Sequence, residues 1–321
     1  MSSTPQPLRV GIVGLGPNWQ TRYKPALLAS SAWFVPAVLC DQVYQRAVLE
    51  AQRLGCEAAE GPSDLLQTAG LDAILLTDSQ WYRLWPVELA CRVGVPVYCV
   101  PSLETDGERA GELARQVRAA GLKFMFEMRA RLSPATRRLH RLLAARLGPP
   151  QVGQLTVLAT RAELAADDTP RTLEWLDWCL HLMGELPVRV LATAVGDESA
   201  PALDSVLLEF AGARAVQVNF VAVAVEQAAA LPAPRAEVVT ARGTARVRFP
   251  ARLCWTYRRA VHQERLPHSR PAEVGLLRQF HRLVTGHTVA VPGMDEAERA
   301  LRVWYAAAES WAAGRWVEVA G

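Results

Sequence analysis

Two glycines one residue apart, Gly14 and Gly16, close an apolar run in Arg9-Val-Gly-Ile-Val-Gly-Leu-Gly-Pro-Asn-Trp19. A second apolar run, residues 35–40, ends in Asp41. Glycines after a strand let the backbone turn tightly and approach an anion, and an acid closing the next strand can accept hydrogen bonds from ribose hydroxyls. The chemistry these types suit is the holding of a dinucleotide. Gly14 would make the turn, Leu15, Gly16, Pro17, Asn18 and Trp19 would border the cofactor, and Asp41 would take the adenosine ribose, favouring NAD over NADP. The third small position of such a turn is filled by Trp19. Gly-x-Gly alone is equally compatible with ordinary turn chemistry; the following acid and the regular pattern downstream favour the cofactor.

Other chemistries find less support. The six cysteines include no Cys-x-x-Cys pair and sit mostly in apolar runs, which suits buried thiols in a reducing cytoplasm. His140, His262, His268, His281 and His287 show no metal-ligand spacing, so no metal is expected. The net charge of +3 is spread along the 321 residues, without a basic block interleaved with aromatics, and nucleic acid is not an expected partner. Only Lys24 and Lys123 are lysines. The start Met-Ser-Ser-Thr-Pro-Gln-Pro does not read as a signal peptide, and no apolar run reaches the roughly 20 residues that span a bilayer, so a soluble, cytoplasmic protein is expected.

These groups need a scaffold, and the chain supplies one in two textures. Up to residue 128, short apolar runs alternate with amphipathic stretches. Strands are expected near 71–77, 95–100 and 122–128, and helices at 43–54, at 85–93 and after the capping box Thr105-Asp-Gly-Glu108. Pro25 should kink or restart the first helix. That alternation predicts a doubly wound parallel sheet covered on both faces. Residues 129–321 read differently: helices at 133–147, 173–183, 273–283 and 295–313, and strand-like runs at 154–160, 188–195, 205–210, 215–225, 236–240 and 245–249. Ala211-Gly212 and Arg242-Gly243 read as hairpin joints, residues 228–234 as a loose loop, and Trp316-Val-Glu-Val319 as a last strand. The second half is therefore expected to be a mainly antiparallel sheet with helices on one side.

In this order the motifs resemble the Gfo/Idh/MocA family of NAD(P)-dependent oxidoreductases over nearly the whole chain. Val10-Gly-Ile-Val-Gly-Leu-Gly16 looks like its nucleotide turn, Tyr23-Lys-Pro-Ala-Leu27 like its His-x-Pro-Ala-Leu stretch, and Leu71-Asp-Ala-Ile-Leu-Leu-Thr77 like its Asp-Ala-Val strand. Arg131-Leu-Ser-Pro134 resembles its entry to the second domain, and Ala307-Ala-Glu-Ser-Trp-Ala-Ala-Gly-Arg315 its closing helix. The resemblance implies an N-terminal Rossmann domain, 1–128. It also implies an α+β domain, 129–321, that binds substrate and pairs homo-oligomers through an open sheet face. The activity implied is hydride transfer between NAD and a small polyol, sugar or related hydroxy compound.

The chemical positions depart from that pattern. The family's Glu-Lys-Pro reads Cys99-Val100-Pro101 here, and valine supplies neither charge nor proton. The resemblance puts Glu174 where the family has histidine and Asp177 on its aspartate, and Trp81 or Tyr82 at a further histidine position. Glu174 and Asp177, spaced i and i+3, share a helix face. Glu174 is the candidate base with Asp177 beside it, or the two are an exposed acidic pair. Tyr82 is a second candidate for the proton, or a packing residue. Thr77, Cys99, Val100 and Pro101 would border the cofactor. Trp81, Trp175, Trp178 and Arg129 would border the substrate, with the tryptophans equally suited to filling space. A dinucleotide-binding protein without turnover, and an NAD-assisted lyase or glycosidase-like enzyme, are the alternatives.

Overall fold

The computed structural model describes residues 6–101, 107–160, 169–194, 203–223, 232–268 and 272–319. The chain divides into two compact units, residues 1–127 with 269–298, and residues 128–268 with 299–321.

The first unit is built on six parallel strands: β1 (Leu8–Val13), β2 (Phe34–Cys40), β3 (Glu57–Ala59), β4 (Ala73–Leu76), β5 (Val97–Cys99) and β6 (Phe124–Phe126). Their order across the sheet is β3-β2-β1-β4-β5-β6. The doubly wound arrangement with this order reverses its winding between β1 and β4, where the carboxyl ends of two strands open a crevice. The central strands are buried throughout, as a sheet covered on both faces requires: Val10, Ile12, Ile74, Leu76 and Val97 have no solvent exposure. Five helices connect the strands: α1 (Lys24–Leu28), α2 (Tyr44–Leu54), α3 (Pro62–Leu66), α4 (Trp85–Val93) and α5 (Gly107–Ala119). Pro25 does restart the first helix, because a π-helical turn, Trp19–Tyr23, precedes it and the proline occupies the opening turn of α1.

The second unit carries helices α6 (Arg129–Leu132), α7 (Pro134–Leu142) and α8 (Thr169–Met183) beside a nine-stranded sheet. Its strands are β7 (Pro150–Thr160), β8 (Arg189–Ala194), β9 (Leu203–Phe210), β10 (Arg214–Val223), β11 (Arg235–Thr240), β12 (Gly243–Arg248), β13 (Arg252–Tyr257), β14 (Ala260–Arg265) and β15 (Val317–Glu318). They lie in the order β14-β13-β12-β11-β7-β10-β9-β8-β15, antiparallel except for the central pair β7 and β10. One face is apolar, with Leu155, Val157, Val206, Leu208, Val216, Val218, Val238 and Val247 all buried. The other shows Gln154, Gln217, Val221 and Val239 to solvent.

The segment 269–298 joins the first unit rather than the second, as a division at 128/129 would have had it. Side chains explain this. Helix α9 (Ala272–Val284) lays Phe280 on Phe34, ring centroids 6.3 Å apart, and edge-on to Tyr98 at 5.6 Å. Burial of one such ring is worth about 1.5–3 kcal/mol. Arg22 bridges Glu273 on α9 and Glu127 after β6, both at 2.8 Å, and Lys123 Nζ donates to the Val284 carbonyl at 2.8 Å. The last helix, α10 (Met294–Ala313), begins beside α5, where Arg118 pairs with Asp295 and Glu298.

Other expectations shift locally. The helix over 133–147 ends as α7 at Leu142 and continues as a π-helical turn, Leu143–Leu147. Strands β13 and β14, missing from the sequence reading, extend the sheet beyond β12. Thr105 and residues 228–231, part of the expected capping box and loose loop, lie outside the described residues.

Candidate functional site

The glycine turn stands at the reversal point between β1 and β4. Gly14 has φ +87°, a backbone conformation that side chains with a Cβ rarely adopt. Thr77 fixes it: its N–H donates to Val13 O at 2.9 Å and its Oγ1 donates to Gly14 O at 2.5 Å. Asp41, 3% exposed, fixes the turn from the other side. Its Oδ2 accepts from Leu15 N–H at 2.7 Å, and its Oδ1 accepts from Val43 N–H at 2.9 Å and Arg46 Nη1 at 3.2 Å. Pro17 and Asn18 are exposed beyond it.

Asp78, directly after Thr77, lies across this turn. A Cβ on Gly16 would come within 2.5 Å of Asp78 Cγ, and one on Gly14 within 2.7 Å of Asp78 Cβ. Both glycines therefore have a reason within the protein itself. Asp78 Oδ1 accepts from Gln80 N–H at 2.9 Å. Burial pushes the Asp78 carboxyl up from its ordinary value and Asp41 adds to the rise, against the Gln80 bond and Arg46.

Trp19 does not border an open turn. It is 2% exposed, and its Nε1 donates to Glu50 Oε1 at 3.0 Å. Burial opposes ionisation of Glu50, yet hydrogen bonds from Lys24, Trp19 and Arg53 outweigh it and hold the carboxyl down at about 2. The indole thus ties the π-helical turn to α2, the packing that a small residue at this position would have achieved by close approach.

Tyr82 sits near the end of β2. Its hydroxyl is 3.7 Å from Cys40 Sγ, one residue before Asp41, and its ring neighbours Trp85 with centroids 6.3 Å apart. Burial, then Cys40 and Asp41, push the phenol well above its ordinary value, so it holds its proton. Trp81 is 69% exposed. Cys99 is fully buried, its Sγ directed to the Val100 carbonyl at 3.1 Å. Val100 is 8% exposed, and Pro101 is buried beside it, its carbonyl 3.4 Å from Ser79 Oγ.

In the second unit, two carboxylates on α8 meet two arginines on α6. Glu174 Oε2 accepts from Arg129 Nη2 at 3.0 Å and Oε1 from Ala130 N–H at 2.8 Å, while Asp177 Oδ1 accepts from Arg131 Nη1 at 3.0 Å. The acids share a face as their spacing implies. They are not an exposed pair, for Glu174 is 5% and Asp177 1% exposed. Arg129 keeps its guanidinium half-exposed. Trp178 belongs to the core rather than to a ligand surface: it is 1% exposed, its Nε1 donates to Thr136 Oγ1 at 3.0 Å, and its ring stands edge-on to Phe249. Trp175, 5% exposed, meets the same phenylalanine with centroids 4.9 Å apart. The structure thus brings Glu174, Asp177, Trp175 and Trp178 onto one helix with Arg129 beside them. In the first unit, the glycine turn, Asp41 and Thr77 come together, with Tyr82 beside Cys40.

Sequence reasoning missed several charged groups. Asp78 had one signal, a charge immediately after a buried strand at the reversal point. Arg22 and Glu127 gave none, since their partners are distant in the chain. Tyr23 and Tyr98 hydroxyls also donate to Glu127 Oε2, the former at 3.1 Å. Among the described residues, no group of three or more His, Cys, Asp or Glu side chains is arranged to hold a metal, and no helix is long and apolar enough to cross a membrane.

The fold and these sites together define a two-part architecture, a Rossmann-type sheet followed by an open-faced, mainly antiparallel one. Solved structures share it along nearly their whole length. UDP-N-acetylglucosamine 3-dehydrogenase GnnA from Acidithiobacillus ferrooxidans is 21% identical, with TM-score 0.81 over 96% of this chain and 98% of that one. Levoglucosan dehydrogenase in complex with NADH and levoglucosan is 15% identical, with TM-score 0.83 over 98% and 100%. An oxidoreductase from Agrobacterium radiobacter in complex with NAD+, L-tartaric acid and magnesium is 17% identical, with TM-score 0.82 over 97% and 98%. The fold is the one implied by the Gfo/Idh/MocA resemblance. No protein-family model matches the sequence, and no curated protein matches it.

Proposed function

We propose that the chain is an NAD-dependent oxidoreductase of the Gfo/Idh/MocA type, acting on a small polyol, sugar or related hydroxy compound. The observation that carries this reading is the likeness to solved dehydrogenases, which extends through both units: 96% of this chain in one comparison and 98% in another. The glycine turn fits a dinucleotide through Gly14's positive φ, the strand reversal beside it and the acid at the end of β2.

Bound NAD would supply the hydride acceptor or donor. The protein's part is orientation and proton management. Gly16, Pro17 and Asn18 would border the pyrophosphate, and Asp41, which braces Leu15, would take the adenosine ribose. Cys99, Val100 and Pro101, all buried, would form a dry, uncharged wall beside the cofactor. Arg129, fixed by Glu174, offers positive charge to a substrate oxygen, and Glu174 accepts the hydroxyl proton with Asp177 holding Arg131 alongside. Tyr82, by its place near Asp41, serves the adenosine half and not the proton. The free thiols suit a cytoplasmic setting, and the open face of the second sheet is the surface on which a homo-oligomer would form.

Titration of NADH against tryptophan emission tests the cofactor: saturable quenching is expected, weakened in Asp41→Ala, and its absence overturns the reading. Absorbance of NADH across a panel of polyols and sugars tests the reaction. Binding without turnover of any hydroxy compound replaces the enzyme by a dinucleotide-binding protein on the same fold.

A further inference from the structure

Gly14 and Gly16 bring no side chains to the turn, yet it is not empty of charge. A Cβ on Gly16 would come within 2.5 Å of Asp78 Cγ and 3.0 Å of Asp78 Cβ, so the Asp78 carboxyl lies directly on the Gly16 backbone. It is fixed there by the Gln80 N–H at 2.9 Å. A pyrophosphate laid along the same turn would meet a second anion with little water between them, where like charges repel far more than at a surface.

We propose that Asp78 sets the affinity and pH dependence of the dinucleotide, which binds only when this carboxyl carries a proton or leaves the turn. The inference rests on the dinucleotide reading above and adds a group that the motif Gly-x-Gly does not contain. The groups facing Asp78 are few. Asp41 and Cys40 stand at the end of β2, Arg46 on α2 and Tyr82 on Asp78's own loop, and the turn from Gly14 to Asn18 holds nothing titratable. Burial pushes the Cys40 thiol up to about 11, and Tyr82 is also raised, so neither changes charge near neutrality. Burial first, and then Asp41, make the Asp78 carboxyl easier to protonate than an ordinary aspartate. Asp78 is thus the group on the turn whose charge state is poised to change when an anion arrives.

The test is NADH binding by the full chain as a function of pH, from the most acidic pH at which it stays folded into the alkaline range, since the Asp78 carboxyl is raised from its ordinary value. It is read by tryptophan emission and, in buffers of different ionisation enthalpy, by the protons taken up. Wild type should bind more tightly as the pH falls, with at most about tenfold in Kd per pH unit for one proton. Asp78→Asn keeps an oxygen for the Gln80 N–H but has no charge; it should bind more tightly than wild type at the alkaline end and show a flat profile. Asp78→Ser, which withdraws the side chain from Gly16, should do the same. A flat wild-type profile, or the wild-type slope in both variants, overturns the proposal and leaves the dinucleotide reading standing. Absence of NADH binding by all three folded proteins at every pH overturns that reading, and this inference with it.

Discussion

Asp41 Oδ2 accepts the Leu15 N–H at 2.7 Å, so the acid that closes β2 grips the turn that closes β1. The carboxylate is a brace of the site before it is a ligand in it. Asp41→Ala removes the acceptor for three donors, Leu15 N–H, Val43 N–H and Arg46. It should lower stability by about 1–3 kcal/mol, as well as weakening NADH binding. Asp41→Asn retains one acceptor oxygen and should lose less stability. Urea unfolding of both variants checks this, and an Asp41→Ala protein as stable as wild type disproves the brace.

The contact across the turn makes a second prediction. Gly16→Ala forces its methyl against Asp78 and should destabilise by about 1–3 kcal/mol. Combining it with Asp78→Gly should recover part of the loss, with a coupling of about 0.5 kcal/mol or more. Strict additivity in the double-mutant cycle would mean that the two residues do not touch.

Stability should depend on pH through two histidines. His140 on α7 and His181 on α8 face each other with ring centroids 4.0 Å apart and planes tilted by 35°. Burial, then His140 and Arg131, push His181 down to about 3, and burial and Arg131 lower His140 as well. A base whose folded pKa is depressed binds its proton in the unfolded chain first. Stability is therefore full above the ordinary histidine value of about 6.5 and is lost as the pH falls toward 3. Wild type should lose stability between about pH 6.5 and 4.5, and His181→Gln should show a shallower loss. Glu50 contributes only further down, because its pairing is lost as the pH falls from about 4.5 toward 2. Equal slopes for wild type and His181→Gln above about pH 4.5 would exclude the histidine pair as the origin.

Glu174 can be separated from its scaffold role by a change that preserves shape. Glu174→Gln keeps an oxygen for the Ala130 N–H, so unfolding should shift little. Its kcat on any substrate found in the panel should fall on the order of a hundredfold, as for loss of a general base, with KM nearly unchanged. A variant that turns over at the wild-type rate removes Glu174 from the chemistry and leaves it as the anchor of α6.

Five of the six strands of the first sheet were legible because buried parallel strands read as unbroken apolar runs, whereas β3, three residues opening on Glu57, shows none; Gly55 and Gly94 end α2 and α4 as positive-φ residues. Strand β14 was not, since it buries no side chain fully and so carries no alternation to read. The tie of α9 to the first sheet depends on Phe280 meeting Phe34 and Tyr98, a match of shapes that no local pattern announces. At the site, Asp41 was legible from its place after an apolar run. Its hydrogen bond to Leu15 was not, nor was the pairing of Glu174 with Arg129 across 45 residues of chain. The tryptophans of α8 left two readings open for a simpler reason: aromatic side chains fill cores and line ligand surfaces alike, and only burial separates the two uses.

Because Phe280 closes the face that Phe34 and Tyr98 leave open, the order of synthesis acquires a cost. When residues 1–127 leave the ribosome, the parallel sheet has its strands but not its cover, which arrives only after the whole of 128–268 has followed. The nascent first unit must carry an uncovered aromatic face while the second is being made. A chain halted after residue 127 should bind a hydrophobic dye that the complete protein excludes, and addition of the 269–298 segment should suppress the signal.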